Sequence, residues 1–486
     1  MLHAASSAVR SSVLVSSLAC TAFLGAGACL AQAPSAVKPL PESIRTTAAG
    51  LRDSALRGTQ AYEFVRSLTT EVGPRLAGSD GDRRGVEWGV RKLKELGFSN
   101  VRAEKVTVPH WVRGSESGEI LTPFPQPVAL TALGGSVGTP EGGIEGEVVE
   151  VARLEDLDKL SPDAVRGKIL FISNRMERTQ DGSGYGRAVG ARSAGPARAG
   201  QLGAAALLIR SISTSDDRLP HTGATRYEEG GPRIPAAALS NPDADLLAAK
   251  IAASKGTPVR FRLKLGAQYL PDAESANVIG EIPGREKPEE IVLLGCHLDS
   301  WDLGTGAIDD ATGCAIVSEA ARLIGQLKQR PRRTIRVVLY ANEEFGLSGA
   351  RGYAEKYAAD LGKHIIAAES DFGTGRVWQI SSRVDPATRP RVEQIAELLK
   401  PLDIALGNNE AGGGADLIPL APARVPVMSL NQDGTTYFDY HHTANDTLDK
   451  VDVKALEQNV AAWAVFAYVA AEMEGDFGRG PEQTGR

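Results

Sequence analysis

Ile291-Val292-Leu293-Leu294-Gly295-Cys296-His297-Leu298-Asp299 reads as a strand that delivers an imidazole and a carboxylate to one edge of a sheet. Its first six residues carry no charge, the pattern of a strand buried on both faces. His297 follows that run directly, so it emerges at the carboxyl end. Asp299 stands two positions further on. Residues i and i+2 of an extended chain share a face. Asp299 is therefore expected to hold the second nitrogen of His297 and to fix its tautomer.

The same design repeats downstream. From residue 271 the texture alternates, with strands expected at 291–296, 334–340, 365–368 and 425–430 and helices at 311–327, 347–359 and 452–474. This alternation predicts an α/β sandwich, a mostly parallel mixed sheet between helices, with chemistry at the carboxyl ends of the strands. Acids and imidazoles stand at those ends. Asp309-Asp310 follow Gly304-Thr305-Gly306, and Glu343-Glu344 follow the second strand. Asp371 follows the third, with Glu369 as its competitor. His441-His442 precede Thr443. Carboxylates and imidazoles are the ligands zinc prefers. Asp309-Asp310 offer a carboxylate to bridge two metals. Adjacent glutamates at a strand end project differently, so one can bind metal while the other stays free as a base. Five ligands plus a spare carboxylate point to a two-metal hydrolase. Residue type alone leaves Glu369 against Asp371, and His441 against His442, undecided.

Around this region the chain divides further. Residues 34–50 read as a loose leader. A first segment, 45–127, carries a helix near 58–70 and a second one N-capped by Ser79. Val86, Val90, Leu93 and Leu96 line one face of the second helix, which stops at Gly97. A strand is expected at 101–108. Residues 128–268 are Gly- and Ala-rich, with short strands at 147–151, 168–172, 205–209 and 259–265 and a helix at 194–202, and read as a β-rich insert. No ligand cluster is visible there, and His221 reads as a solvated loop histidine. The second segment of the main domain, 269–476, carries the metal site. His364 starts a strand and reads as structural.

The 486 residues are 42% hydrophobic and 23% charged, with a net charge of -6, which excludes a basic nucleic-acid footprint. Residues 1–33 read as a signal peptide, with Arg10 before an apolar run and Ala31-Gln32-Ala33 at the cleavage site. This implies a secreted or periplasmic protein with no membrane span after cleavage. Lipid anchoring through Cys20 or Cys29 is the weaker alternative. Cys296 and Cys314 read as small buried hydrophobes, with a bond between them left open. Gly346-Leu347-Ser348-Gly349-Ala350 fails as a nucleophile elbow, because no strand directly precedes Ser348. Gly412-Gly413-Gly414 lacks a dinucleotide fingerprint.

Five segments carry a specific likeness. They are Gly295 to Asp302, Gly306-Ala307-Ile308-Asp309-Asp310, Asn342-Glu343-Glu344-Phe345-Gly346, Glu369-Ser370-Asp371 and His442-Thr443-Ala444-Asn445-Asp446-Thr447. They resemble the di-zinc exopeptidases of leucyl aminopeptidase, carboxypeptidase Q and glutamate carboxypeptidase II type. The paired histidines and Trp463-Ala464-Val465 are most similar to the carboxypeptidase Q branch. Gly73-Pro74-Arg75-Leu76-Ala77-Gly78-Ser79 is similar to the family's N-terminal segment. The insert resembles a protease-associated domain through residues 165–172 and 234–240. The resemblance implies two Zn2+ per chain: His297 and Asp371 on one, Glu344 and His442 on the other, and Asp309 bridging through a cis bond to Asp310. It implies Glu343 as general base, acting on a metal-bridging water, and it selects His442 over His441. It also implies a peptide substrate and a homodimer. It leaves carboxypeptidase or dipeptidase action open against aminopeptidase action. The rivals from outside are a single-zinc glutaminyl-cyclase-like acyltransferase and a non-catalytic receptor-like protein.

Overall fold

The computed structural model describes residues 37–482, so the expected signal peptide lies outside the described residues. The apolar run that opened the sequence reading is a central strand of an eight-stranded mixed sheet. In chain order the strands are β1 (Ser99–Val112), β2 (Gln268–Ile282), β3 (Lys287–His297), β4 (Arg333–Tyr340), β5 (His364–Glu369), β6 (Val377–Arg383), β7 (Ala405–Leu406) and β8 (Val427–Gln432). Their spatial order is β1-β2-β4-β3-β5-β8-β6-β7. The inner four, β4, β3, β5 and β8, run parallel. Residues 291–297 of β3 are all buried, which explains why that run tolerates no charge.

Register sets the site. His297 pairs with Tyr340 and Gly295 pairs with Glu369, so three parallel strands end at nearly the same level. The residues that follow these ends, His297 to Asp299, Glu343-Glu344 and Asp371, therefore gather on one edge.

Helix Val453–Glu472 packs against helices Glu42–Leu56 and Thr312–Gly325 as well as the sheet. Burial on every side explains its unbroken apolar character, with residues 458–471 all buried. Helix Asp80–Glu95 starts as expected, because the Ser79 side chain accepts a hydrogen bond from the Asp82 N–H at 3.2 Å. The loose leader expected over 34–50 is corrected. Glu42–Leu56 is a helix whose Ile44, Ala48, Leu51 and Ala55 form one buried stripe. Two of those four contacts are alanines, so the stripe was faint beside the preceding Pro and Ser residues.

Between β1 and β2 the chain builds a second eight-stranded sheet. Its spatial order is Gln126–Val128, Glu116–Ile120, Arg260–Leu265, Ile144–Val151, Ile169–Ile172, Ala206–Arg210, Ala236–Leu239 and Leu130–Ala132. This sheet takes in Glu116–Ile120, upstream of the composition change at 128, because that strand is polar and carries no apolar texture. Long antiparallel pairing of β1 with β2 forms the ribbon that leads out to this sheet and back.

Replacing Phe466, which is fully buried in the last helix, by alanine is expected to lower unfolding free energy by about 3–5 kcal/mol. Urea denaturation of the full chain followed by circular dichroism measures this, and a loss below about 1 kcal/mol would contradict the packing described.

Candidate metal centre

The adjacent aspartates after Gly306 do different work. Asp310 is spent on the backbone, where it accepts from the N–H of His297 at 3.2 Å and of Gly313 at 3.0 Å. Asp309, joined to Asp310 by a cis peptide bond, is left facing the site. Two buried side chains hold this turn. Asp446 accepts from the N–H groups of Ile308 at 2.6 Å and Asp309 at 3.3 Å. Arg75 donates to the carbonyls of Thr305 at 2.7 Å, Gly306 at 2.8 Å and Leu298. Gly306 adopts φ 61°, and an added Cβ would run into Ser300 and Arg75.

The two oxygens of Asp309 look in two directions. Oδ1 lies 3.0 Å from His297 Nε2, and that nitrogen is 3.4 Å from Asp371 Oδ1. Oδ2 lies 3.2 Å from His442 Nε2, which is 2.8 Å from Glu344 Oε2. Two ligand groups result, His297/Asp309/Asp371 and Asp309/Glu344/His442, each with its donor atoms within 4.8 Å of one another. They share one residue. Trp301 Nε1 donates to Glu344 Oε2 at 2.6 Å, while Glu344 Oε1 is buried without a partner. Among the described residues, Asp309, Glu343, Glu344 and Asp371 form no ion pair with Lys or Arg. Buried carboxylates without a compensating cation are costly, and the donor set is the one zinc takes. The residues fit two divalent ions.

The electrostatics agree. Burial pushes the carboxyls of Glu343, Glu344 and Asp371 upward. Burial also raises Asp309, but hydrogen bonds from His297 and His442 outweigh it and hold this carboxyl well below its usual range. For His442, burial acts downward, and Glu344 and Asp309 override it to lift the imidazole to about 9.

All five residues expected as ligands converge. Glu343 is half-buried and lines the same cavity of about 880 Å³. Glu369 stands aside, accepting from the Asp416 N–H at 2.9 Å. His364 accordingly binds the Tyr353 hydroxyl at 2.8 Å, away from the site.

Two expectations are corrected. The Asp299 carboxylate does not hold His297. It lies 3.7 Å from Nδ1 and accepts instead from the N–H groups of Glu343 at 3.0 Å and Glu344 at 3.3 Å. The His297 Nδ1 partner is the Asp299 carbonyl at 3.0 Å. β3 ends at His297, so the alternation of an extended chain no longer governs residue 299. His221 is not solvated. It is fully buried and stacks on His442 with ring centroids 5.1 Å apart. Nothing in its local sequence signals this, because its neighbours lie far along the chain. Arg75 and Trp301 were visible only within the resembling segments, without a role. Cys296 and Cys314 form a disulfide that ties the end of β3 to helix Thr312–Gly325.

The family profile of peptidase family M28 matches residues 277–467, which span all five converging ligands and omit the second sheet. Carboxypeptidase Q of Mus musculus is 38% identical over 415 residues, 85% of this chain and 86% of that one. The chain belongs to peptidase family M28. A crystal structure of a peptidase M28 precursor from Shewanella amazonensis SB2B is 49% identical to this M28 chain. It covers 91% of this chain and 100% of the other, with a TM-score of 0.89. The zinc aminopeptidase BSAP of Bacillus subtilis shares the fold at 20% identity and a TM-score of 0.62, covering 85% of this chain and 95% of that one. Among the described residues, no helix of this M28 chain is long and apolar enough to cross a membrane.

His442, with its proton held to about pH 9, must lose that proton to ligate through Nε2. Zinc binding at pH 7 is therefore expected to release about one proton or more per chain, and affinity to rise with pH until His442 is neutral in the free protein. Calorimetry in buffers of different ionisation enthalpy measures the release, and binding without it would contradict the assignment.

Proposed function

We propose that the chain is an exported zinc exopeptidase that hydrolyses dipeptides or short peptides. Its ligands are His297 and Asp371 on one ion, Glu344 and His442 on the other, with Asp309 shared. The observation that carries this reading is the split of Asp309, whose two oxygens face two separate imidazoles at 3.0 and 3.2 Å. The likeness to carboxypeptidase Q over most of both chains supports the substrate class. When bound, the two zinc ions lower the pKa of a water toward neutrality and polarise the scissile carbonyl.

The chain's own residues do the rest. The Glu343 carboxylate borders the cavity and makes no ion pair with Lys or Arg among the described residues, so it is free to take the proton of the attacking water. It then passes that proton to the leaving amine. Asp299 positions it by accepting from its backbone N–H and from that of Glu344, so base and ligand are set by one anchor. Phe345, Phe372 and Ile418 give the cavity an apolar wall for substrate side chains. Tyr185 and Arg226 line the same cavity from the second sheet's region, which we read as a protease-associated insert.

Glu343→Gln is expected to keep zinc content and fold while turnover falls by about 10²–10⁴-fold. Assay of a dipeptide alongside metal analysis checks this, and unchanged turnover would remove Glu343 from the role. A panel of free, N-blocked and C-amidated dipeptides, with and without chelator, fixes the terminus. Free dipeptides are expected to turn over best, and only with zinc present. Preference for C-amidated substrates would mark an aminopeptidase instead, and one zinc per chain would favour the acyltransferase rival.

A further inference from the structure

We infer that the insert is part of the metal centre, because its loop His221-Thr222-Gly223 holds His442 in the orientation ligation requires and Arg192 holds that loop. The inference rests on the zinc-site reading above. Thr222 and His442 bind each other twice. The Thr222 N–H donates to the His442 carbonyl at 3.0 Å. The Thr222 carbonyl lies 3.3 Å from His442 Nδ1. The first bond fixes the backbone of a residue whose φ of 59° lies in the left-handed region. The second fixes the ring. An imidazole that gives its Nδ1–H to a carbonyl keeps the lone pair on Nε2. Nε2 is the atom that faces Glu344 at 2.8 Å and Asp309 at 3.2 Å.

Arg192 backs the same carbonyl. It is 7% exposed and forms no ion pair among the described residues. Nη1 donates to the Thr222 carbonyl at 3.3 Å, and Nη2 donates to the Tyr185 hydroxyl at 2.7 Å. Nη1 also stands 3.5 Å from His442 Nδ1. Both atoms carry protons when Nε2 ligates, so the guanidinium and the imidazole share the Thr222 carbonyl rather than bond each other.

The loop is tied in turn to the second sheet. Thr222 Oγ1 donates to the carbonyl of Ala132 at 2.9 Å and accepts from Arg113 Nη2 at 3.2 Å. The Gly134 N–H donates to the Gly223 carbonyl at 2.9 Å. A continuous path of hydrogen bonds thus runs from strand Leu130–Ala132 through Thr222 to His442. Among the described residues the other ligand group has no such path from the second sheet, because the partners of His297 are Asp299, Asp309, Asp310 and Asp371, all from the main-sheet region. The insert therefore governs one metal position and leaves the other to the sheet.

Gly223 supplies the probe. It adopts φ +132°, and a Cβ there would lie 2.1 Å from Arg192 Nη1 and 2.8 Å from His442 Nδ1. Full-length wild type, Gly223→Ala, Arg192→Ala and Arg192→Lys are loaded with zinc and titrated with a competing chelator, and retained metal is counted by mass spectrometry. Wild type is expected to hold two ions. Gly223→Ala and Arg192→Ala are expected to weaken one ion by about 10–100-fold and leave the other unchanged. Arg192→Lys, which keeps the charge and one donor but not the planar fork, is expected to fall between wild type and Arg192→Ala for the same ion. Unchanged affinity for both ions in both alanine variants overturns the inference. Equal weakening of both ions also overturns it, since that is general destabilisation. If Gly223→Ala does not fold, Arg192→Ala decides alone. A wild-type chain that binds no zinc overturns the underlying reading and this inference together, whereas loss of one ion's affinity with a dipeptide assay that stays silent faults only the substrate assignment.

Discussion

One carboxylate, that of Asp309, faces both imidazoles of the centre, and much of the surrounding architecture serves to keep it there. Left alone, an anion at that depth would turn toward the nearest backbone donor or take up a proton. Here the backbone donors are already claimed. Asp310 takes the N–H groups of His297 and Gly313, and Asp446 takes those of Ile308 and Asp309. Asp446 is itself so enclosed that burial and the neighbouring Asp309 charge lift its carboxyl to about 7. Arg75 spends its donors on the carbonyls of Leu298, Thr305 and Gly306, so it braces the loop without pairing with Asp309. The result is a carboxylate turned toward imidazoles, His297 at one oxygen and His442 at the other with His441 slightly farther at 3.5 Å, and toward whatever cation joins them.

The sheet and the turns solve separate parts of the problem. Parallel strands set the depth at which each ligand emerges, and register does so without any side-chain contact between ligands. The turns then decide which member of each adjacent pair faces inward. Asp299 makes this choice for Glu343 and Glu344 by accepting from both backbone N–H groups. A residue first read as an orienter of histidine thus acts one step away, on the strand beside it.

What was legible in the sequence follows the same division. Strand ends and apolar runs are local, so the positions of His297, Glu343-Glu344 and the Glu369/Asp371 alternative could be read from composition and alternation. The choice within each pair was not local, and it was the likeness to known peptidases that implied Asp309, Glu344, Asp371 and His442 in advance. His221 and Arg192 gave no signal at all. Their meaning depends on an excursion of the chain that leaves the main sheet after β1 and lays one loop back across the centre. The helix Glu42–Leu56 was hidden for a simpler reason, since alanine contacts bury little area and leave a weak periodic trace.

The disulfide between Cys296 and Cys314 bears on selectivity as well as on packing. A thiolate beside His297 would be a strong soft ligand, able to draw zinc out of an oxygen- and nitrogen-based centre or to bind copper in its place. Joined to each other, the two sulfurs offer no thiolate. The chain thereby removes two competing soft donors from the end of the strand that carries His297.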